Sequence, residues 1–412
     1  MNIDLQRPAS RGLRSPLAAA AVALLAMSTD AAALWDDRLQ LFVGETVTSD
    51  SNVFRISKDR DTRAFLGESQ RSDTYTTTTA GFSLDVPVSR QRFQAGTTWN
   101  KVNYRRFSDL DYLGRESRAA WLWQAGDRLN GQLGYIETDA LASFNNIQGR
   151  VPNSLETRRL YGNAAYLLTP SWQLQAGVAE TEQRNGSQLR EENDVDVRTT
   201  DLAVNYISRA NNKLGVALRQ DEGRYRNRQQ VGALLIDNGY TQRGIGLVTD
   251  WTITGKSHLR ARVDRVHRDY DELSGRNFDG TIFNVAYDWQ ATGKLGLAAV
   301  LQRDISPAED IQTSFVLVEG LALRASYDLS EKINVAANAG YSRREYLGDP
   351  GLALGTTADR TDRVRVFGAI VSYRPMRSLT LRLSGQRETR SSNVALNDYT
   401  ANVFSLNALF SF

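Results

Sequence analysis

Arginine and carboxylate side chains share the polar faces of several short amphipathic segments in this 412-residue sequence. Only six of the 50 basic residues are lysine, so arginine supplies nearly all of the positive charge. Its planar guanidinium group matches carboxylates and phosphates through two parallel hydrogen bonds. The pattern therefore predicts either ladders of arginine–carboxylate pairs or a basic path for an anionic solute, and the two are compatible. The candidate residues are Arg118, Arg219, Arg260, Arg262, Arg324, Arg365, Arg382, Asp201, Asp264, Asp288 and Asp328.

Catalytic and metal-binding patterns are weak in this sequence. Its two histidines, His258 and His267, are nine positions apart, an odd spacing that places them on opposite faces of a strand. Asp264, Asp269 and Asp271 surround His267, but charged clusters of this kind are common at loop ends. The chain has no cysteine, and no glycine-rich phosphate loop precedes a helix. We therefore predict no enzyme activity, no metal and no cofactor.

The first 33 residues have the features of a secretory signal peptide. Arg7, Arg11 and Arg14 precede a short apolar run at 16–27, and small residues at 31–33 offer a cleavage site. The sequence therefore predicts a signal peptide at 1–33 and one domain at 34–412. A formal net charge of +3 is too small to indicate binding of nucleic acid.

About 18 segments between residues 38 and 412 alternate apolar and polar residues with the period of a β-strand. Short turns such as 125–127 alternate with longer connections such as 49–72. The prolines after residue 33 all fall in the predicted turns and loops. This pattern predicts an all-β fold, a transmembrane antiparallel up-and-down β-barrel with both termini on the short-turn rim. The long connection 49–72 either lies in solvent or folds inward as a constriction.

The last strand, at 400–412, gives the most specific indication of compartment. Phe404, Leu406, Phe410 and Phe412 share one face with Ala408, whereas Ser405 and Asn407 lie on the other face. An apolar outer face that ends on a carboxyl-terminal phenylalanine is similar to the assembly signal of outer-membrane barrels. We therefore predict that these four residues are read by the barrel-insertion machinery and then contact lipid.

Aromatic residues near the short-turn ends of the predicted strands indicate an interfacial girdle. A soluble β-sandwich would instead spread such residues through its core. The girdle candidates are Trp121, Trp123, Tyr166, Trp172, Tyr206, Trp251, Tyr287, Trp289, Tyr327 and Tyr373.

The first strands resemble a particular family of barrels. The matching stretches are Phe42–Arg55, which contains Asp50-Ser-Asn-Val-Phe54, then Gly81–Phe93, Tyr104–Phe107, Ala120–Gln124 and Gly131–Tyr135. Over residues 38–145 the sequence is similar to the outer-membrane β-barrel porin proteins of exopolysaccharide biosynthesis operons, often called EpsL-type. The resemblance implies a role in moving or anchoring exopolysaccharide at the outer membrane of a diderm bacterium, and it implies no catalytic residues.

The resemblance and the arginine-rich polar faces together predict a barrel that assists export of an exopolysaccharide through an Arg/Asp-lined pore. Two alternatives remain open, a general or substrate-selective diffusion porin and a non-conducting structural or docking barrel. The expected partners are outer-membrane lipid and lipopolysaccharide, the barrel-insertion machinery, and the exopolysaccharide with its periplasmic export proteins.

Overall fold

The structure, a computed structural model, describes residues 38–145, 150–231, 233–272, 274–307, 315–347 and 360–412. Within these ranges 18 antiparallel strands form one continuous sheet, and the last strand pairs with the first. This closed ring confirms the predicted all-β barrel and its strand count. The predicted signal peptide lies outside the described residues.

Strands of 12 to 16 residues make up the barrel. In the first half they are β1 Leu39–Asp50, β2 Asp73–Val88, β3 Gln91–Tyr104, β4 Tyr112–Ala125, β5 Leu129–Leu141, β6 Ser154–Thr169, β7 Trp172–Asn185, β8 Val195–Ile207 and β9 Lys213–Tyr225. In the second half they are β12 Tyr240–Thr254, β13 Ser257–Tyr270, β14 Phe278–Gln290, β15 Leu295–Pro307, β16 Phe315–Asp328, β17 Ile333–Leu347, β18 Thr361–Met376, β19 Leu379–Ser392 and β20 Tyr399–Ser411.

Small elements outside the barrel wall were not predicted from the sequence. A short hairpin, β10 Gln229–Val231 with β11 Leu234–Ile236, lies in the connection between β9 and β12. Helix α1, Thr62–Leu66, lies in the long connection after β1, where Asp61 caps its amino end through two backbone N–H groups. Such short elements depend on side-chain capping and packing, which strand periodicity does not reveal.

Three prolines lie inside strand ends rather than in turns, which corrects their predicted positions. Pro87, Pro307 and Pro375 are each the last or second-to-last residue of their strand. A proline lacks the backbone N–H that a ladder needs, so strand ends, where pairing is incomplete, tolerate it. Pro350 lies outside the described residues.

The outer face of the barrel carries an apolar belt. Register pairing places Leu406 opposite both Leu383 and Val47, and all three side chains are exposed. The predicted girdle aromatics share this outward face, and Trp172, Tyr206 and Trp289 are each more than 40% exposed. An exposed apolar band of this extent is stable only against lipid, so the belt marks the membrane-spanning zone.

The strands extend beyond the length that a membrane requires. A tilted strand crosses the hydrocarbon with about 9–11 residues, and the surplus here lies toward the long-loop rim. At that level the outward positions change from apolar to charged, and we call this zone the charged collar. Its ion pairs include Arg115–Glu137, Arg158–Glu156, Arg184–Asp196, Arg265–Asp279 and Arg303–Glu319.

In the part of the chain that the structure describes, no helix has the length and apolar character needed to cross a membrane.

Candidate functional site: the lumen and its mouth

One side of the lumen is lined by paired charges. On β8, β9 and β13, Asp201 accepts hydrogen bonds from Arg219 at 3.0 Å and from Arg262 at 2.8 Å. Arg262 also holds Asp264 through two bonds of 2.7 and 3.0 Å. Farther toward the short-turn rim, Arg260 donates to Asp288 at 2.7 Å. These residues form the arginine–carboxylate ladder that the sequence predicted as one of two interpretations.

Three lumenal arginines on other strands lack such partners. Arg118 on β4, Arg324 on β16 and Arg382 on β19 point inward, and among the described residues none has a carboxylate within ion-pair distance. Their neighbours in register are uncharged: Gly96 and Ile136 flank Arg118, Ala298 and Asn338 flank Arg324, and Ser372 and Asn407 flank Arg382. We call these three residues the unpaired lumenal arginines.

Arg365 does not lie in the lumen. It is exposed, pairs in register with Tyr341 of β17, and shares the outward face of β18 with Phe367. This placement corrects its prediction as a pore-lining residue. Asp328, by contrast, lies on the inward face at the short-turn rim and accepts a hydrogen bond from Asn334 at 2.8 Å.

A lumenal recess of about 350 Å³ lies beside Arg382. Its lining combines the hydroxyl and amide groups of Thr46, Ser384, Ser405 and Asn407 with the apolar side chains of Phe42, Ile370 and Leu409. Thr48 and Ser405 share a hydrogen bond of 3.0 Å across the seam between β1 and β20. Such a surface offers one fixed positive charge among exchangeable hydrogen-bond partners, which suits a polyhydroxylated anion.

The long-loop end of the lumen is partly covered by packed connections. Phe54 is fully buried, and its ring meets the rings of Phe107 and Phe144 edge-on, each at a centroid distance of 4.8 Å. We call this group the mouth cluster; its members are Val53, Phe54, Ile56, Leu66, Phe107, Leu110 and Phe144. The connection 49–72 therefore packs part of its length into the mouth cluster, whereas residues such as Asp59 remain exposed.

The Asp50–Phe54 stretch builds the turn that places Phe54 in this cluster. The Asn52 amide donates to the carbonyl of Ile56 at 2.8 Å and accepts from the Ile56 N–H at 3.1 Å. Asp50 accepts from Arg55 at 2.8 Å and from the Asn52 N–H at 2.8 Å. The residues that carried the family resemblance thus have a structural role, since they fold the first connection onto the mouth.

A second connection crosses the mouth to the far side of the seam. Asn145, which follows β5, accepts a hydrogen bond from Arg390 through its carbonyl and one of 3.1 Å from the Tyr399 hydroxyl through its side chain. The Arg390 side chain is only 1% exposed, and its Nε donates to the Asn397 carbonyl at 2.6 Å. The sequence did not predict this contact. The alternation of side chains along a strand can place Arg390 on the inward face, but it cannot reveal that the side chain is buried.

Asp109 and Arg150 tie the connections after β3 and β5 to each other. Arg150 donates to Asp109 at 2.8 and 2.5 Å and to the Leu66 carbonyl at 3.2 Å. These hydrogen bonds lower the pKa of the Asp109 carboxyl below its usual value, although partial burial opposes the shift.

Acid is expected to loosen this contact. Because the pKa of Asp109 is lower in the folded protein, the stabilisation is complete above the ordinary aspartate value and disappears as the pH falls through the folded value. We therefore expect single-channel conductance to be constant between neutral pH and about pH 5, and to increase below about pH 4. Asp109→Asn should show the higher conductance already at neutral pH, whereas Asp59→Asn, at an exposed loop position, should behave as wild type. An unchanged acid profile in Asp109→Asn would contradict this assignment.

The two histidines face opposite sides of β13, as their odd spacing predicted. His258 lies 2.6 Å from Asp250 on the lumenal side, and His267 lies 3.0 Å from Asp269 on the outer side. Within the described ranges, no group of three or more potential ligand side chains is close enough to hold a metal ion.

Comparison with known families matches residues 261–412 to the family described as "Putative beta-barrel porin 2". The matched residues run from β13 to the apolar final strand β20. They include Arg262 of the ladder and two of the unpaired lumenal arginines, Arg324 and Arg382. No curated protein sequence matches the chain.

Among solved structures, the barrel is similar to OccK2 (OpdF) of Pseudomonas aeruginosa, with a TM-score of 0.49 and 11% identity over 92% of this chain and 98% of that one. It is also similar to OccAB3 of Acinetobacter baumannii, with a TM-score of 0.44 and 10% identity over 91% and 98% of the two chains. At such low scores the fold assignment rests on the strand pairing itself. The closed ring of 18 strands and the apolar belt with its aromatic girdle identify the chain as an outer-membrane β-barrel, and residues 261–412 are similar to a porin family.

Proposed function

We propose that this barrel conducts anionic carbohydrate across the outer membrane, and that its cargo is an exopolysaccharide segment on its way to the cell surface. The observation that carries the proposal is the set of unpaired lumenal arginines, Arg118, Arg324 and Arg382, each directly opposite uncharged residues in register. The resemblance of residues 38–145 to the barrels of exopolysaccharide operons supports the choice of cargo.

The distribution of charge fits transport better than tight binding. A flexible polymer passes a pore by many weak contacts, since conduction requires release as well as entry. Three arginines on separate strands, of which Arg382 lies beside hydroxyl and amide groups and Arg324 opposite Asn338, offer contacts of this kind. The arginines of the ladder are already neutralised by carboxylates, so they attract an anion less strongly.

Substituting the unpaired lumenal arginines should weaken block of the channel by an acidic sugar. In planar bilayers, we expect tetragalacturonate to reduce the single-channel current of the wild type, and neutral maltotetraose to have little effect. Because a hydrogen bond to a charged group contributes about 1.5–3 kcal/mol, the blocking affinity of R118Q/R324Q/R382Q should be at least about tenfold lower. The matched control is R92Q/R219Q/R260Q, whose arginines are lumenal but ion-paired.

Equal loss of block in both triple variants would mean that only the total lumenal charge matters, and it would contradict the assignment to the unpaired arginines. A barrel that folds but conducts no current would instead support a structural or docking role. Export itself is tested in the cell: if deletion of the gene left secreted exopolysaccharide unchanged in amount and length, the cargo would be refuted.

The mouth cluster favours a second candidate, a substrate-selective diffusion channel for small anions. Two connections cover part of the long-loop end, and the contact between Asn145 and Arg390 spans the mouth. A covered mouth suits a monosaccharide better than a polymer. Digalacturonate permeation without passage of longer oligomers, measured in proteoliposomes, would favour this candidate.

A further inference from the structure

Four arginines form a cluster on the outer wall of the barrel, away from the lumen. They are Arg343 on β17, Arg363 and Arg365 on β18, and Arg387 on β19, and all four are exposed. We propose that this outer arginine patch binds the phosphate groups of an anionic glycolipid in the outer leaflet, the lipid A portion of lipopolysaccharide. The proposal depends on the outer-membrane location and not on the proposed cargo.

The patch is contiguous across three strands. Arg343 and Arg363 lie directly opposite each other in register, so their Cβ atoms are about 4.5–5.5 Å apart. Arg365 follows two positions along the same face of β18, and Arg387 lies diagonally from it on β19, beside Phe367. Diagonal neighbours on a sheet are about 7–8 Å apart, within the reach of one headgroup that carries two phosphates.

Its charge is not balanced within the protein. Glu345 pairs with Arg343. Among the described residues, however, Arg363, Arg365 and Arg387 have no carboxylate within ion-pair distance. The charged collar elsewhere is different, since Arg115, Arg265 and Arg303 each pair with an acidic residue on a neighbouring strand. Like charges directly opposite on a sheet destabilise it, and an external anion would relieve that repulsion.

The height of the patch fits a lipid headgroup. Arg365 is level in register with Tyr341, and Phe367, 59% exposed, begins the apolar belt immediately below it. Tyrosine at such a position is typical of the boundary between hydrocarbon and headgroups. Guanidinium groups at this boundary meet lipid phosphates, which they can bind through paired hydrogen bonds.

The patch predicts preferential retention of phosphorylated lipid A. The full barrel would be reconstituted with phosphatidylcholine and diphosphoryl lipid A, extracted in mild detergent, and examined by native mass spectrometry. For R363Q/R365Q/R387Q we expect bound lipid A to fall about tenfold or more, since each lost contact is charge-assisted. The matched control is R115Q/R184Q/R265Q, which removes three ion-paired arginines of the collar and should retain lipid A at nearly the wild-type level. Arg303 is left intact because its partner Glu319 lies directly opposite Arg343 in register.

Three results would overturn the proposal. The first is equal loss of lipid A in the two triple variants, which would indicate only a general effect of charge. The second is displacement of lipid A by millimolar inorganic phosphate, which would make the ligand a free anion rather than a lipid. The third uses the wild-type protein alone, so it does not depend on folding of a variant: equal retention of diphosphoryl and dephosphorylated lipid A.

Discussion

Leu406→Arg is expected to prevent most of the protein from assembling as a folded barrel. Leu406 is 59% exposed, and its neighbours in register are Leu383 and Val47, so its side chain lies within the lipid-facing belt. An arginine on the lipid face of a barrel costs about 2–4 kcal/mol near the middle of the bilayer. The same substitution also interrupts the row of Phe404, Leu406, Phe410 and Phe412 that we predict is read by the insertion machinery.

The matched control is Ser405→Arg, one position earlier on the same strand. Ser405 faces the lumen opposite Ser384 and Thr48, where water can solvate a new charge. We expect Ser405→Arg to retain heat-modifiable mobility on gels and a urea midpoint in vesicles close to that of the wild type. If both variants lost the folded barrel to a similar extent, the assignment of one face of β20 to lipid and the other to the lumen would be contradicted.

Arg390→Ala is expected to open the mouth of the barrel. The side chain is almost completely buried, lies 3.8 Å from Asp362, and stacks over the Tyr399 ring at 4.5 Å. Its removal takes a donor from the carbonyls of Asn145 and Asn397, and a buried acceptor left unsatisfied costs about 1–3 kcal/mol. Asp362 keeps Arg360 as its partner. We therefore expect the connection that contains Asn145 to detach and single-channel conductance to increase.

The absence of cysteine allows detachment to be measured directly. In an Asn145→Cys background the carbonyl that accepts from Arg390 is retained and only the side-chain hydrogen bond from Tyr399 is lost, so the thiol reports on the arginine contact. We expect Arg390→Ala to accelerate labelling of this thiol several-fold by a membrane-impermeant reagent. Arg387→Ala, on the outward face of the same strand, should leave both labelling and conductance unchanged. Slow labelling in Arg390→Ala would show that the mouth cluster holds the connection without this arginine.

The barrel wall was predictable because each strand repeats one local rule. Apolar residues at every second position fix the faces of β20, so Phe404 and Ser405 could be assigned to opposite sides from the sequence alone. Short turns and long connections then fixed the order of the strands, since each strand pairs with its neighbours along the chain.

Arg365 shows where that rule fails. Its prediction as a pore-lining residue assumed that a charged position on a strand faces the lumen. The outer face of β18, however, changes from apolar at Phe367 to charged at Arg365. The strand leaves the hydrocarbon between these positions, so polarity alone cannot distinguish the lumen from the outer surface there. The mouth cluster was missed for another reason, because Phe54, Phe107 and Phe144 meet only through tertiary packing of separate connections.

The pairing of β1 with β20 has a consequence for biogenesis. Thr48 lies beside Ser405, 357 positions away, so the first strand lacks one of its two neighbours until β20 has been synthesised. An unpaired strand edge with an apolar face invites aggregation, and pairing over such a distance is slow. The amino-terminal strands are therefore open to aggregation until β20 pairs with β1, and a truncation before β20 removes the strand that closes the sheet.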